Sequence, residues 1–567
     1  MARQYGEHGI YYWDAIHYAP AHRPNLQGPA MHMVLGCLGR IFGGRGDDYI
    51  LANAVMGLAC WTTAMFTAVC FARREAGDVA GLLAAAVLSG GVQAAASFSM
   101  NLPVYWMFLA TCWAIYFFLQ GATVVSAILL SLACYCHLAG FVTAPAGMFV
   151  AAMLSPAARP YRRLVVALAI AAVLTAAYWV HVLRWLPWYV GTKADTAWWI
   201  DPLTALFWLE GVVYALRAPR RHALGLAFAA APVVWIAQDT SRFILLSALP
   251  GAVMGSIAVT HTLEKIADAR RRSIATAAIA YVATVFPLGI PALAGEILWL
   301  VKPYPVLVDF AEMRADAEVI QRHGLEDRMV QGYTSYVGSA LAIWDDITVE
   351  KGHWVEVQPP VDPSETLSVA EKTYVLAISP DDAALSEWTA RGWITNFGGG
   401  QWSSVLRFDR RPTLGETQAI RRETWAREAA WLAEHARHNT IGNYFRIVFD
   451  PGELSRRREQ QLETRTRITR MQIAEMLYAY AIEPSDAARA QSLRDDARAL
   501  GWLAALEGDE MTLDYRSLWA HAQLISGMRR LATAAASGAD IDQPFRKMLD
   551  PYLHATRGHV LSTAPKL

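Results

Sequence analysis

The hydrophobic positions of this chain follow two regimes that change at about Lys302. Before it, apolar residues run in near-continuous blocks at about Tyr49–Ala72, Val79–Phe98, Pro103–Leu119, Ala122–Cys136, Phe141–Leu154, Arg163–Leu183, Pro202–Leu216, Ala223–Ile236, Phe243–Ala258 and Ile274–Val301. A helix needs ~20 apolar residues to cross a bilayer, so the pattern predicts about ten spans, several of them short. After Lys302 the period shifts: a helix-like Val308–His323, then strand-like RMVQGYT (Arg328–Thr334), ITVEK, HWVEV, KTYVLAI and WSSVLRF, with an amphipathic Asp381–Arg391 between the last two. Alternating short strands and helices predict a small α/β domain ending near Asp409. The FGGGQW run, Phe397–Trp402, lacks dinucleotide-loop spacing and sits between strands, so it reads as a turn. From Pro412 the pattern is helical: Glu416–Arg437, a turn around Pro451–Gly452, then a long arginine-rich segment. Arginines of Arg456–Arg470 alternate with acids and polar residues, which reads as a solvated helix face.

The expected architecture is therefore a polytopic α-helical membrane bundle, a small extracytoplasmic α/β domain and an α-helical C-terminal region. Its segments are residues 1–48, an extracytoplasmic loop with an amphipathic helix; 49–301, the membrane domain; 302–411, the α/β domain; and 412–567, the helical region. Composition agrees, with 54% hydrophobic and 18% charged residues and a mean hydropathy of +0.22. A formal net charge of +0 leaves no electrostatic case for a nucleic-acid partner. All 6 cysteines, Cys37, Cys60, Cys70, Cys112, Cys134 and Cys136, precede the soluble part, which has no disulfide framework. Cys134, Cys136 and His137 read as buried helix residues in preference to metal ligands. His435, His438 and Glu434 suggest no third ligand and read as surface residues.

Basic residues in short loops stay cytoplasmic. They concentrate in alternate loops: Arg73 and Arg74; Arg159, Arg162 and Arg163; Arg217, Arg220 and Arg221; Lys265, Arg270, Arg271 and Arg272. The segment Gly9–Pro29 and everything after Val301 then face outward. A polar leading tail on that side implies a membrane helix upstream of Met1. Charges inside apolar runs are costly and so informative: Glu210, in LFWLEGVV, and Glu296. Either residue could instead pair with a neighbouring helix.

The stretch DAIHYAPAHRPNLQGPAMHMVLGCLGRIFGGRGDDYILANAVMGL resembles the first extracytoplasmic loop and following helix of the GT-C superfamily, which includes protein O-mannosyltransferases and the lipid A aminoarabinose transferase. The matching features are Asp14, Gly28-Pro29 leading an amphipathic segment, the stop Ile41-Phe42-Gly43, and the long helix of Tyr49–Gly77. DTSRFILLSALPGAVM, Asp239–Met254, is similar to a late helix of the family, and the α/β domain follows on the expected side. The resemblance spans roughly residues 9 to 410.

It implies an integral-membrane enzyme moving a hexosyl or pentosyl unit, with inversion, from a polyprenyl-phosphate sugar to an extracytoplasmic envelope glycan or lipid. A bacterial inner membrane is the implied location. Such transfer needs a carboxylate to take the acceptor proton and a cation to hold the departing phosphate. The resemblance makes Asp14 the candidate base and Arg242 the candidate phosphate ligand, with Arg184 and Arg23 as further lipid-donor contacts. His22, Glu210 and Asn101 are substrate-proximal candidates. No cofactor is required by these residues, though a divalent cation is compatible with them. Asp14 could instead cap a helix or pair with Arg23, and Arg242 could simply reach headgroups. Many family members carry a second acid where this chain has Asn101 in SFSMNLP. That departure favours the alternative, a non-catalytic scaffold or lipid-linked-sugar translocation factor.

Overall fold

The computed structural model describes residues 2–9, 13–14, 23–24, 28–90, 103–185, 202–235, 240–285, 310–332, 341–344, 347, 368–435, 451–506, 515–543, 545 and 547–548. They form two compact units: Met1–Tyr12, Asn25–Pro187 and Trp198–Ile297 in one, Trp13–Pro24, Trp188–Ala197 and Leu298–Leu567 in the other.

The first unit is helical. Its elements are α1 (Ala2–His8), α2 (Pro29–Phe42), α3 (Gly46–Gly90), α4 (Pro103–Leu119), α5 (Thr123–Cys136), α6 (Gly140–Leu154), α7 (Pro160–Leu174), α8 (Ala176–Trp185), α9 (Pro202–Leu216), α10 (Ala223–Ala230), α11 (Thr240–Glu264) and α12 (Ala269–Val285). Helix α3 contains non-helical backbone at Ala76 and Gly77, the latter at φ 82°. A Cβ on Gly81 would lie 3.3 Å from both the Val69 carbonyl oxygen and Arg73 Cβ. In a continuous helix Gly81 would lie ~18 Å from Val69 and ~12 Å from Arg73 along the axis, so the chain doubles back at Gly77. The turn follows Arg73-Arg74, where the apolar blocks were expected to separate.

The span count needs correcting. By length and composition, two helical stretches among the described residues can cross a membrane, Gly46–Ser89, taken as one despite its reversal at Gly77, and Leu246–Glu264, or three if the bent pair Pro160–Leu174 and Ala176–Arg184 counts as one span. Several other apolar blocks form helices of 10–17 residues: Pro29–Phe42, Pro103–Leu119, Thr123–Cys136, Gly140–Leu154 and Ala223–Val233. The turns at Gln120–Gly121 and Leu138–Ala139 fall where the apolar blocks were expected to end, and the helices between them fail as spans by length alone.

Every exposed large hydrophobic side chain among the described residues, Leu414 excepted, belongs to this first unit. Leu58, Phe66, Val124, Val173 and Val180 all point outward. An apolar exterior on helices with internally bonded backbones is the surface of a protein solvated by lipid. Its hydroxyls follow the same rule. Thr63, Thr67, Thr111, Ser131, Thr175 and Thr260 each donate to the carbonyl four residues back. Between helices, Ser126 Oγ donates to Ala114 O at 2.7 Å and Trp113 Nε1 to Thr67 Oγ1 at 3.1 Å.

The second unit contains the strand pair β1 (Trp13–Asp14) and β2 (Arg23–Pro24), then α13 (Phe310–Arg322), β3 (Met329–Gly332), β4 (Lys372–Leu376), α14 (Ala383–Ala390), β5 (Ile394–Asn396), β6 (Ser404–Phe408), α15 (Leu414–His435), α16 (Pro451–Ile482), α17 (Ala487–Leu506) and α18 (Tyr515–Ser537). The main sheet runs β3-β4-β6-β5. Strand β3 is parallel to β4, and the other pairings are antiparallel. Strand β5 was not anticipated, and ITVEK and HWVEV lie outside the described residues apart from Ile347. Asp382 caps α14 by accepting from the Ala384 and Leu385 amides. Pro451 and Gly452 begin α16, where a turn was expected.

The arginine-rich face is also corrected, since the second half of Arg456–Arg470 is packed. Arg465 is buried, Arg467 pairs with buried Glu428 at 2.7 Å, and Arg470 pairs with Asp382 at 2.6 Å. Deeper in the bundle, Glu475 Oε1 accepts from Arg421 Nε at 2.7 Å and Trp425 Nε1 at 2.6 Å. Helix α16 also gives Ile473, Met476, Leu477 and Tyr480 to the core beneath the sheet.

Removing one partner of a buried pair strands the other charge. Glu475→Ala is expected to destabilise this unit by about 3–5 kcal/mol in chemical denaturation. Because Arg421 also pairs with Asp542 at 2.6 Å, the double change Arg421→Met with Glu475→Leu should recover only part of that loss.

Candidate functional site

Helix α2 is set by its ends. Pro29 occupies its first turn, where the missing N–H costs nothing. Gly43, at φ 145°, ends it by donating its N–H to the Gly39 and Arg40 carbonyls. The helix lies close against its neighbours because glycines line the contacts. A Cβ on Gly28 would strike the Tyr135 and Cys136 carbonyls at the end of α5, and one on Gly39 would enter the Tyr49 ring of α3. On the other side α1 packs along α2: Arg40 Nη1 donates to Gly6 O at 2.8 Å, and the Tyr5 and His32 rings stack at 5.6 Å. The segment flanking the candidate loop is therefore held on α3 and α5 by close backbone approach.

Within the loop itself, β1 and β2 pair antiparallel, with Asp14 opposite Arg23 and Trp13 opposite Pro24. The candidate base and one candidate phosphate ligand thus occupy directly opposed register positions. Sequence reasoning offered Arg23 as a partner for Asp14 without foreseeing a strand pair, because two-residue strands leave no periodic signal.

The other predicted residues are dispersed. Arg184 is exposed near the end of α8, and Glu210 is exposed on α9. Helix α9 packs on α11, with Gly211 against Met254 and Gly255. Arg242 is in the first turn of α11, with its side chain outside the described residues. His22, Asn101 and Glu296 also lie outside them. Asp14 and Arg242 fall in different units.

No group of three or more His, Cys, Asp or Glu side chains suited to a metal occurs among the described residues. Cys134 and Cys136 are buried in α5. His137 Nδ1 accepts from the Ala139 amide, and His435 stacks on Trp431 at 4.3 Å.

No family model matches the chain, and no curated protein matches it. Similar solved structures include the archaeal oligosaccharyltransferase AglB from Archaeoglobus fulgidus in complex with an inhibitory peptide and a dolichol-phosphate, at 14% identity and TM-score 0.44, covering 62% of this chain and 59% of that one. They also include ArnT from Cupriavidus metallidurans bound to undecaprenyl phosphate, at 13% identity and TM-score 0.47, covering 71% of this chain and 91% of that one. Both are GT-C superfamily membrane glycosyltransferases. This chain spans less than two thirds of AglB, and likeness at this level assigns no residue a role.

Opposed residues of an antiparallel pair lie within the Cα separation a disulfide tolerates. Asp14→Cys with Arg23→Cys, in a Cys37→Ser background, is expected to give an intramolecular crosslink on mild oxidation, identified by mass spectrometry of the joined peptides. A one-residue shift, Asp14→Cys with Pro24→Cys, should crosslink poorly.

Proposed function

We propose that the protein is an integral-membrane glycosyltransferase that moves a sugar from a polyprenyl-phosphate donor to an extracytoplasmic glycan or lipid acceptor. One observation carries the reading: the acid of the GT-C-like loop, Asp14, is paired in register with a basic residue, Arg23. The loop leads into a glycine-seated amphipathic helix with the boundaries the resemblance implies, Pro29–Phe42. An acid and a basic residue at opposed register positions are the two residue types the reaction needs.

In this reading Asp14 accepts the proton of the acceptor hydroxyl as it attacks the anomeric carbon. The lipid phosphate leaves from the opposite face, which inverts the centre. Arg23 and Arg242 hold the phosphate as negative charge builds on it, with Arg184 a further contact at the membrane surface. Glu210, an exposed carboxylate on an apolar helix, is a substrate-proximal group, and His22 and Asn101 complete the candidates. The orientation that follows from the basic loops places the α/β and helical regions outside the cytoplasm, at a bacterial inner membrane. A second reading, a non-catalytic scaffold or translocation factor of the same fold, is favoured by Asn101 standing where many GT-C members carry an acid.

Asp14→Asn preserves size and removes the base. It is expected to lower transfer from a radiolabelled polyprenyl-phosphate sugar by roughly 10²-fold or more, with expression and thermal stability unchanged. Arg242→Ala should weaken donor binding. Full activity of Asp14→Asn would remove the acid from the mechanism, and a wild-type protein that binds every donor tested without turnover would favour the scaffold.

A further inference from the structure

The glycine-rich turn between β5 and β6 is gripped by two acids of α13, one helical turn apart. Glu312 Oε1 accepts from the Gln401 amide at 2.9 Å, and its Oε2 accepts from the Trp402 amide at 2.8 Å. Asp316 Oδ1 accepts from the Gly400 amide at 3.1 Å. A Cβ on Gly400 would run into Glu312 Oε2, so the glycine is what lets the acid approach the backbone. Asp316 is buried, and its Oδ2 has no hydrogen-bond partner among the described residues.

The geometry contains one hydrogen too few. Ser403 Oγ lies 3.0 Å from Glu312 Oε2 and 2.9 Å from Asp316 Oδ1. A hydroxyl has a single proton and can donate to only one of them. With both carboxylates ionised, the second contact would set lone pair against lone pair at hydrogen-bond distance in a buried site. A proton on one carboxyl resolves this: it donates to Ser403 Oγ, and Ser403 donates to the other acid. Asp316 is the more buried of the two and has the fewer donors.

We propose that Asp316 carries this proton when the clasp is closed, and that Glu312, Ser403 and Asp316 form a proton-locked latch tying α13 to the β5–β6 turn. Losing the proton to solvent leaves two negative charges, that of Asp316 buried, on one hydroxyl, and the latch opens. Burial pushes the Asp316 carboxyl up from its ordinary 3.8 to about 7, with Glu312's charge acting the same way and the Ser403 and Gly400 hydrogen bonds opposing. Among other charged groups nearby, Arg314 and Glu318 pair with each other, the His323 ring lies 5.0 Å from Phe397, and Arg407 stacks over Phe397 at 5.4 Å. The inference does not depend on the glycosyl-transfer reading.

The sign follows from linkage. A carboxyl whose closed-state affinity for protons exceeds that of the open state stabilises the closed state at low pH and ceases to do so as pH rises through its closed-state value. The test is hydrogen–deuterium exchange of the Gly400–Trp402 amides in the full-length protein in detergent or nanodiscs, corrected for intrinsic exchange. Protection is expected to fall by up to tenfold per pH unit between about 4 and about 7 and to level off above. In Asp316→Asn, whose amide supplies the missing hydrogen at every pH, protection should stay high and flat. Wild-type protection independent of pH, or a wild-type-like slope in Asp316→Asn, overturns the proposal. The wild-type profile alone is decisive where the variant does not fold.

Discussion

An apolar exterior constrains everything else in the first unit. Side chains such as Leu58, Phe66, Val124 and Val173 face outward, and in water that surface would drive aggregation. Placed in lipid, it removes the usual force for packing helices together, because the surroundings are as apolar as the side chains. What remains is close contact and polar satisfaction. Gly28 against α5, Gly39 against the Tyr49 ring, and Gly211 and Gly225 against Met254 are places where a Cβ would intrude. The threonine back-bonds and the Ser126–Ala114 contact keep hydroxyls satisfied without water.

The second unit meets the opposite problem. Among its described residues Leu414 is the one large hydrophobic side chain exposed, and its core uses hydrophobic burial, as Trp393, Tyr374, Phe408 and Trp425 show. Yet it also buries charges: Glu428 and Glu475 are inaccessible, with Arg467, Arg470 and Arg421 against them. Such pairs offer little net stability over apolar residues, but they penalise any alternative packing that separates them. Long helices with weak amphipathic stripes can slide in register. The ion pairs between α15 and α16, and Arg470 with Asp382 at the cap of α14, fix that register to the α/β core.

What the sequence disclosed depended on how local the cause was. Gly28-Pro29 and Ile41-Phe42-Gly43 marked the ends of α2 correctly because a first-turn proline and a glycine past the end act through their own backbone. The reversal at Ala76–Gly77 was legible as a basic break between apolar blocks. Helix α13 and strands β4 and β6 were recovered from periodicity. Strand β5 was missed because Ile394–Asn396 is too short to alternate and exists through pairing with β6. The packed arginines of α16 were missed because charge alternation looks the same whether the facing surface is water or another acidic helix. Hydropathy overcounted spans because apolar helices of 10–17 residues were counted as crossings although they are too short for one.

At the candidate site, the identity of Asp14 came from a motif, whereas its opposition to Arg23 comes from a pairing no motif encodes. That difference matters for mechanism. A lone carboxylate in an exposed loop keeps an ordinary proton affinity and is a weak, poorly placed base. A backbone pairing that sets a basic residue at the opposed register position limits where the loop can put the acid. A two-residue strand pair is too small to be stable alone, so its persistence has to come from what flanks it.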